Sequence, residues 1–252
     1  AAADKMYIRD RFTDDPYFID YTKKLIPYFN IIFTNELNCV HLYKFMGCAN
    51  VFYLPLGVNT EIFHPLVVDR KYQSDILFVG NAFTDRVRLF DSIANYLSTR
   101  NVLIFGNWWN RLINYHLLSG KIHNSWTSPE ETANYYNGAK IVLNIHRSFD
   151  DNTINYNSRK VPALSVNPRT FEISACGAFQ LTDIRLDLTN QYSPEHDIAT
   201  YKSDKDLIRK LEHYLNHHDE RMTIAKRGLQ KTLGEHTYLN RINKLVDKLF
   251  FD

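Results

Sequence analysis

The chain has 252 residues, 44% of them hydrophobic and 14% aromatic, enough for one large or two modest globular domains and too apolar for disorder. Its formal net charge is +2 with 23% charged residues, which gives no electrostatic case for nucleic acid or an anionic membrane as partner. No apolar run approaches the roughly 18–20 residues of a membrane span, and no secretory signal opens the sequence. Cys39, Cys48 and Cys176 stand far apart without a CxxC pair; this odd, sparse set is the pattern of reduced thiols and makes the expected location cytoplasmic.

In chain order, Asp14-Asp15-Pro16 reads as a turn or helix start. Ile31-Ile32-Phe33 is a strand candidate, Glu36 to Met46 a helix stopped by Gly47, and Val51 to Leu54 a second strand ending at Pro55. One such β-α-β unit cannot bury both faces of a sheet alone. From about residue 72 a pattern repeats: a short apolar run, a polar or Gly-bearing loop, then a helical stretch. The runs are 76–79, 102–105, 141–145 and 178–181, with weaker candidates at 121–124 and 198–201. Near-continuous apolar runs separated by helices predict a parallel sheet covered on both faces, and six units make it doubly wound. Thr84 is placed to cap a helix running to about Leu97, and Ser128-Pro129-Glu130-Glu131 opens another with Tyr135 and Tyr136 on its apolar side. Helical spacing returns from Ser203 onward and in a last helix from about Tyr238 to Phe250.

The most informative stretch is Val166 to Gly177. Asn167 suits an N-cap and Pro168 the first helical position, which would leave the amides of Arg169 and Thr170 pointing out of the helix start. Free amides at the positive end of a helix dipole attract an anion, and Arg169 adds a forked cation suited to phosphate. Glu172, one turn on, is placed to accept hydrogen bonds from a vicinal diol such as a ribose. The other reading is an ordinary capped amphipathic helix with Glu172 solvated. A second loop, Gly80 to Arg88, follows the first strand of the larger unit and brings Arg86 to a helix start; it has neither GxGxxG nor GxxxxGK, so a dehydrogenase or a P-loop NTPase is not supported. A third loop, His123 to Ser128, carries Ser125, Trp126 and Thr127; Trp126 either stacks on a base or covers the core. Asn144 and His146 end a buried strand, where a polar pair either faces a ligand or, for His146, is a satisfied structural histidine. Trp108-Trp109 packs at the crevice rim or in the core. His213 and His217 have i, i+4 spacing but no HExxH and no cysteine partners, so no metal is expected.

The run Asn167-Pro168-Arg169-Thr170-Phe171-Glu172-Ile173-Ser174-Ala175-Cys176-Gly177-Ala178-Phe179-Gln180 resembles the signature of CgeB-like (spore-maturation) glycosyltransferases. Asp14-Asp15-Pro16, Leu54 to Asn59, Asp75 to Gly80 and Glu235 to Tyr238 agree in order, so the resemblance covers essentially the whole chain. It implies the α/β GT-B architecture: a doubly wound parallel-sheet donor domain plus the C-terminal part of a first Rossmann-like domain. Residues 1–65 would be the C-terminal remnant of the acceptor-side domain with its linker. Residues 66–235 would be the nucleotide-sugar donor domain, and 236–252 a C-terminal helix packing back toward the first.

Carried over by position, Glu172 resembles the second Glu of an E-x7-E motif that holds the ribose; the first falls at Leu164 and is absent. An Arg expected after Gly80 is Asn81, and a Lys expected five positions on is Arg86. The resemblance thus implies a hexosyltransferase-like enzyme whose partners are a nucleoside-diphosphate sugar and an unidentified glycan, protein or small-molecule acceptor, with no cofactor and no metal. Donor contacts would come from Arg86, Asn144, His146, Asn167, Arg169, Thr170 and Glu172, base contacts from Ser125, Trp126 and Thr127; no catalytic base is assigned. The absent acid at Leu164 and the short first domain motivate an alternative: a non-catalytic nucleotide-sugar-binding or assembly module, inactive on its own.

Overall fold

A computed structural model describes residues 6–8, 23–149 and 160–250 of the chain. Two parallel sheets carry it. The smaller, in the order β1-β2-β3, is formed by β1 (Met6–Ile8), β2 (Ile31–Thr34) and β3 (Asn50–Tyr53). Around it lie α1 (Lys23–Leu25) and α2 (Cys39–Phe45). The sequence led us to expect two strands here; Met6–Ile8 adds a third, pairing in parallel with β2. The helix expected from Glu36 starts instead at Cys39, because the Glu36 carboxylate turns to accept from the Asn38 amide. Asp14-Asp15-Pro16 lies outside the described residues.

The larger sheet has six strands: β4 (Ser74–Val79), β5 (Val102–Phe105), β6 (Ile122–His123), β7 (Ala139–Asn144), β8 (Gln180–Asp183) and β9 (Ala199–Tyr201). All pairings are parallel and the order is β6-β5-β4-β7-β8-β9, so the direction of winding reverses between β4 and β7. Every strand expected from the apolar runs is present, within a few residues at its ends. The helices are α3 (Thr84–Ser92), α4 (Ala94–Ser98), α5 (Tyr115–Leu118), α6 (Pro129–Gly138), α7 (Arg169–Ala175), α8 (Leu188–Gln191), α9 (Asp204–Asn216), α10 (His218–Glu235) and α11 (Tyr238–Phe250).

Alternation along the strands explains the layering. Ile76 and Phe78 of β4 face one core with Ile104, Leu143 and Leu181, under α3, α4 and α9. Leu77 and Val142 face the other, with Tyr136 of α6 and Phe171 and Ile173 of α7. A third cluster, including Ile32, Val51 and Tyr43, belongs to the smaller sheet. Side chains of this kind contribute roughly 1.5–3 kcal/mol each on burial, so the sheet is fixed well before any polar group acts.

Helix ends agree less evenly with expectation. Ser128 caps α6, its hydroxyl accepting from the Glu131 amide at 3.1 Å, with Pro129 first in the helix. Ser203 caps α9 in the same way through the Asp206 amide. Thr84, by contrast, is the first residue of α3, and Phe83 (ψ 158°) occupies the cap position without a side-chain bond. The single helix expected to Leu97 breaks at Ile93 (φ −108°, ψ 8°), so α3 and α4 are separate. Val58 bridges Thr237, Arg241 of α11 donates through Nε to the Leu56 carbonyl at 3.2 Å, and the Lys248 ammonium lies 5.3 Å from the Phe52 ring of β3. No helix among the described residues is long and apolar enough to cross a membrane.

Candidate functional site

In an open parallel sheet the strand order reverses at one point, and the loops beyond the strands' carboxyl ends part there to leave a crevice. Here that point is the gap between β4 and β7. Two glycines shape its floor. The Gly106 backbone lies so close to Gly80 that a Cβ on Gly106 would stand 2.2 Å from the Gly80 carbonyl oxygen. A Cβ on Gly80 would stand 3.0 Å from an Nη1 of both Arg86 and Arg169. Trp109, fully buried, holds the same Gly80 carbonyl with its indole N–H at 3.1 Å. Of the pair expected at the rim or in the core, Trp109 is core, and Trp108 is half exposed beside Phe83.

Above this floor is a cavity of about 320 Å³, lined by Gly80, Gly106, Ser125, Trp126, Thr127, Tyr136, Arg169 and Glu172 among others. The structure thus gathers the base-side candidates and two of the donor-side candidates in one place. Trp126 is 77% exposed at its edge, which rules out the core-covering reading. Larger cavities, of about 570 and 500 Å³, lie at the amino ends of β7 and β8 and beside α9. Size does not choose between them; the carboxyl-end position and the convergence of charge do.

That charge is unusual. Arg86 is 2% exposed, and its guanidinium donates to the carbonyls of Asn81 (3.0 Å) and Ile145 (2.7 Å). Arg169 donates to the Val79 carbonyl at 3.0 Å. Among the described residues neither forms an ion pair, and the Nε of each is buried without a partner. Burial first, and then the neighbouring Arg169, hold the Arg86 pKa well below the ordinary arginine value; Arg147 acts in the same direction and Asp183 against it. Two cations side by side, neither in an ion pair among the described residues, leave room electrostatically for an anion. Glu172 is half buried in the cavity wall; burial raises its pKa and Arg169 opposes the rise. It is not simply a solvated helix residue.

The remaining donor-side candidates do other work. Helical hydrogen bonding in α7 begins at Arg169, one residue later than expected. The Asn167 side chain still caps it, accepting from the Thr170 amide at 3.2 Å. This contradicts the expectation that the Thr170 amide is free: it is occupied, and Thr170 is fully buried. Asn144, also fully buried, donates to Thr170 Oγ1 (3.0 Å) and Gln180 Oε1 (3.2 Å) and accepts from Asn167 Nδ2 (2.8 Å). Gln180 Nε2 completes the set with the Thr170 carbonyl and the Ser174 hydroxyl. Asn144 and Thr170 therefore brace α7 against the sheet and are not exposed to a ligand. A short polar side chain on a buried strand beside a helix start satisfies groups that apolar residues would strand.

His146 divides between its two readings. Its Nδ1 pairs with Asp183 Oδ1 at 2.7 Å, and its amide donates to the same oxygen at 2.8 Å. Its Nε2 is buried without a partner among the described residues. Burial lowers the His146 pKa, with Asp183 pulling the other way; burial raises the Asp183 pKa, but the contacts with His146 together with Arg185 leave it lowered. The ring is thus neutral at pH 7, with its proton on Nδ1 facing the carboxylate.

Sequence reasoning missed Gly106, Asn107 and Tyr136. The signal for the first two was present: Val79-Gly80-Asn81 and Phe105-Gly106-Asn107 are the same apolar-Gly-Asn exit, repeated at the ends of two adjacent strands. Asn81 Oδ1 accepts from the Asn107 amide at 2.9 Å, so the two exits are stitched together. Tyr136 reads as an apolar-face residue of α6, yet its buried hydroxyl has no partner among the described residues and its side chain lines the cavity. His213 and His217 stack on each other at 4.0 Å, and the described residues hold no group of three or more metal-ligating side chains.

Residues 86–247 match the family described as Glycosyl transferase-like. Spore protein CgeB of Bacillus subtilis (strain 168) is 31% identical over 229 residues, covering 90% of this chain and 70% of that protein. The chain belongs to the CgeB-like glycosyltransferase family. Solved structures place this CgeB-like chain in the GT-B fold. Sucrose-phosphate synthase from Thermosynechococcus elongatus matches with a TM-score of 0.66 at 14% identity, over 94% of the chain and 62% of that protein, so the chain spans less than two thirds of it. A glycosyltransferase from Rickettsia africae ESF-5 gives 0.66 at 11% identity, over 98% and 71%. Anabaena HepE, solved in complex with UDP and glucose, gives 0.68 at 8% identity, over 98% and 71%. At such identities the likeness is one of fold.

Proposed function

We propose that this chain binds a nucleoside-diphosphate sugar in the cavity at the ends of β4 and β5 and forms the donor-binding half of a glycosyltransferase. The observation that carries the reading is the convergence of Arg86 and Arg169 on Gly80 with no ion pair to either among the described residues. The diphosphate lies against the Arg169 guanidinium, with the buried Arg86 guanidinium behind it adding to the positive field, the ribose hydroxyls donate to Glu172, and the base sits along Ser125, Trp126 and Thr127. A cavity of this size falls in the range of about 300–1,000 Å³ usual for small-molecule sites. HepE was solved with UDP and glucose and with UDP-glucose, which supports a donor of this class.

The chemistry follows from the charges. As the acceptor oxygen bonds to the anomeric carbon, the bond from that carbon to the diphosphate oxygen breaks and negative charge grows on the leaving group. Fixed guanidiniums in a partly dehydrated crevice stabilise that charge without reorganising. They supply the positive field, so the reading calls on no metal ion. Residues 66–235 would form the donor domain, with a hexose the expected sugar.

Calorimetry with UDP-, GDP-, ADP- and dTDP-sugars tests the reading: one or more should bind, and Arg169→Ala should weaken that binding strongly and abolish donor turnover. If none binds, the donor reading is wrong. A second reading, a non-catalytic module on the same scaffold, is favoured by the missing acid at Leu164, whose amide is already held by Glu36. Binding without hydrolysis or transfer would support it; turnover that Arg169→Ala abolishes would exclude it.

A further inference from the structure

The segment that leads into α7, residues 162–166, belongs to no helix or strand, so its conformation depends on side chains that meet its backbone. Those side chains come from two sides. From the exit of β2, Glu36 accepts from the Leu164 amide (Oε1, 3.0 Å) and the Ser165 amide (Oε2, 3.3 Å), besides its own neighbour Asn38 (3.1 Å). Beside it, the Leu37 amide donates to Ser165 Oγ at 2.8 Å and Asn38 Nδ2 to the Pro162 carbonyl at 3.1 Å. From beyond β8, Arg185 donates to the Ala163 carbonyl at 3.1 Å and the Asp187 amide to the Leu164 carbonyl at 3.1 Å. The Asp187 carboxylate is in turn held by the Tyr53 hydroxyl of β3. Two residues further on, Asn167 caps α7 and Arg169 enters the cavity.

Glu36 is 7% exposed. A carboxylate buried at the end of a strand costs stability unless several donors meet it. Here three backbone amides do, two of them more than 120 residues away in sequence. A purely local turn would need no contact with the far segment. We infer that Glu36 is a positioning residue: by holding the Leu164 and Ser165 amides it sets the entry of α7 and couples the smaller sheet to the Arg169 end of the cavity. The inference rests on the donor reading for its functional consequence, though not for its structural one. It implies that a change in how the smaller sheet is held, as on binding an acceptor, reaches the donor site through this carboxylate.

The test is Glu36→Gln in the full chain, which keeps the volume and one acceptor but turns an N–H₂ toward an amide. Losing a charge-assisted buried hydrogen bond should speed hydrogen exchange at Leu164 and Ser165 by roughly 10- to 100-fold. The Thr170 amide, held by the Asn167 cap, should speed up with them, while Val142 in β7 stays unchanged. UDP, as probe, should bind roughly 10-fold more weakly. Unchanged exchange at 164, 165 and 170, or a rise shared equally by Val142, overturns the inference, as does local loosening with unaltered UDP affinity. A wild-type chain that binds no UDP counts against UDP as the nucleotide and leaves exchange to decide the clamp. Should Glu36→Gln fail to fold, Ser165→Ala, which removes only the hydroxyl that receives the Leu37 amide, must give the same local pattern on a smaller scale; its absence is equally decisive.

Discussion

Two polar clusters lie on either side of the α7 start and obey opposite rules. Behind the helix, Asn144, Asn167, Thr170, Ser174 and Gln180 exchange hydrogen bonds among themselves. In front of it, Arg86 and Arg169 donate to backbone carbonyls and, among the described residues, keep buried Nε groups unpartnered and form no ion pair. Both clusters are buried polar groups, which interiors tolerate only at a cost. The first has repaid that cost internally and so holds the fold. The second carries an unpaid electrostatic cost in the free protein, the condition under which an anion gains most by binding.

The largest effect should come from the front cluster. Arg169→Ala should weaken binding of the preferred nucleoside diphosphate by roughly 100-fold or more, since a guanidinium–phosphate contact is charge-assisted and partly desolvated. Its melting temperature should hold or rise, because the like charge beside Arg86 is gone; a variant that binds normally, or one that unfolds, breaks the comparison. The back cluster should behave the other way. Asn144→Ala strands the partner groups on Asn167, Thr170 and Gln180 and should cost about 3–4 kcal/mol in denaturant unfolding. Retained stability would show that the network is not what holds α7.

Much of this was legible in the sequence, and the division is physical. Apolar runs such as Ile76 to Val79 and Ile141 to Leu143 announce strands because period and burial are local properties. Ser128-Pro129-Glu130-Glu131 announces its helix because a cap is a contact three residues long. Arg169, Glu172 and the Ser125 to Thr127 loop were found through motif chemistry and do meet in one cavity. What stayed hidden depends on contacts between distant segments. The Thr170 amide looks free until Asn167, itself oriented by Asn144 from another strand, turns to meet it. Arg86 looks like a solvated helix residue until Ile145 offers it a carbonyl 59 positions away. The close approach of Gly106 to Gly80 is a property of paired strands and leaves only the repeated Gly-Asn as its trace.

Smaller effects sharpen the comparison. His236 belongs to the satisfied class: its Nε2 donates to the Gln191 carbonyl at 3.0 Å and its Nδ1 accepts from Arg241 at 2.9 Å. Burial, with Arg241 adding to it, depresses its pKa from 6.5 to about 4. A histidine held neutral in this way stabilises the fold above pH 6.5, and that stability is lost as pH falls from 6.5 toward 4. Unfolding free energy should therefore drop by something on the order of 3 kcal/mol across that window. A profile flat from pH 7 to 4 would contradict the assignment.

Glu172 has the reverse sign. Its pKa is raised by burial, so the stability it contributes is complete below the ordinary value of 4.5 and lost as pH rises through the raised one. Glu172→Gln should then raise the melting temperature at pH 7.5, leave it unchanged at pH 4, and weaken nucleotide binding by roughly 10-fold through the ribose contact. Tyr136→Phe should give the smallest change: removing a buried hydroxyl that has no partner among the described residues should stabilise the free protein by about 0.5–1 kcal/mol. Loss of stability instead would mean that the hydroxyl is satisfied in solution.

A diphosphate should complete the arginine cluster. This is tested most directly by determining the structure of the full chain with whichever nucleoside diphosphate calorimetry selects. Phosphate oxygens should lie within hydrogen-bond distance of Arg169 and beside Arg86, with ribose hydroxyls on Glu172 and the base along Ser125 to Thr127. A nucleotide bound elsewhere, with both guanidiniums still on the carbonyls of Asn81, Ile145 and Val79, would contradict it.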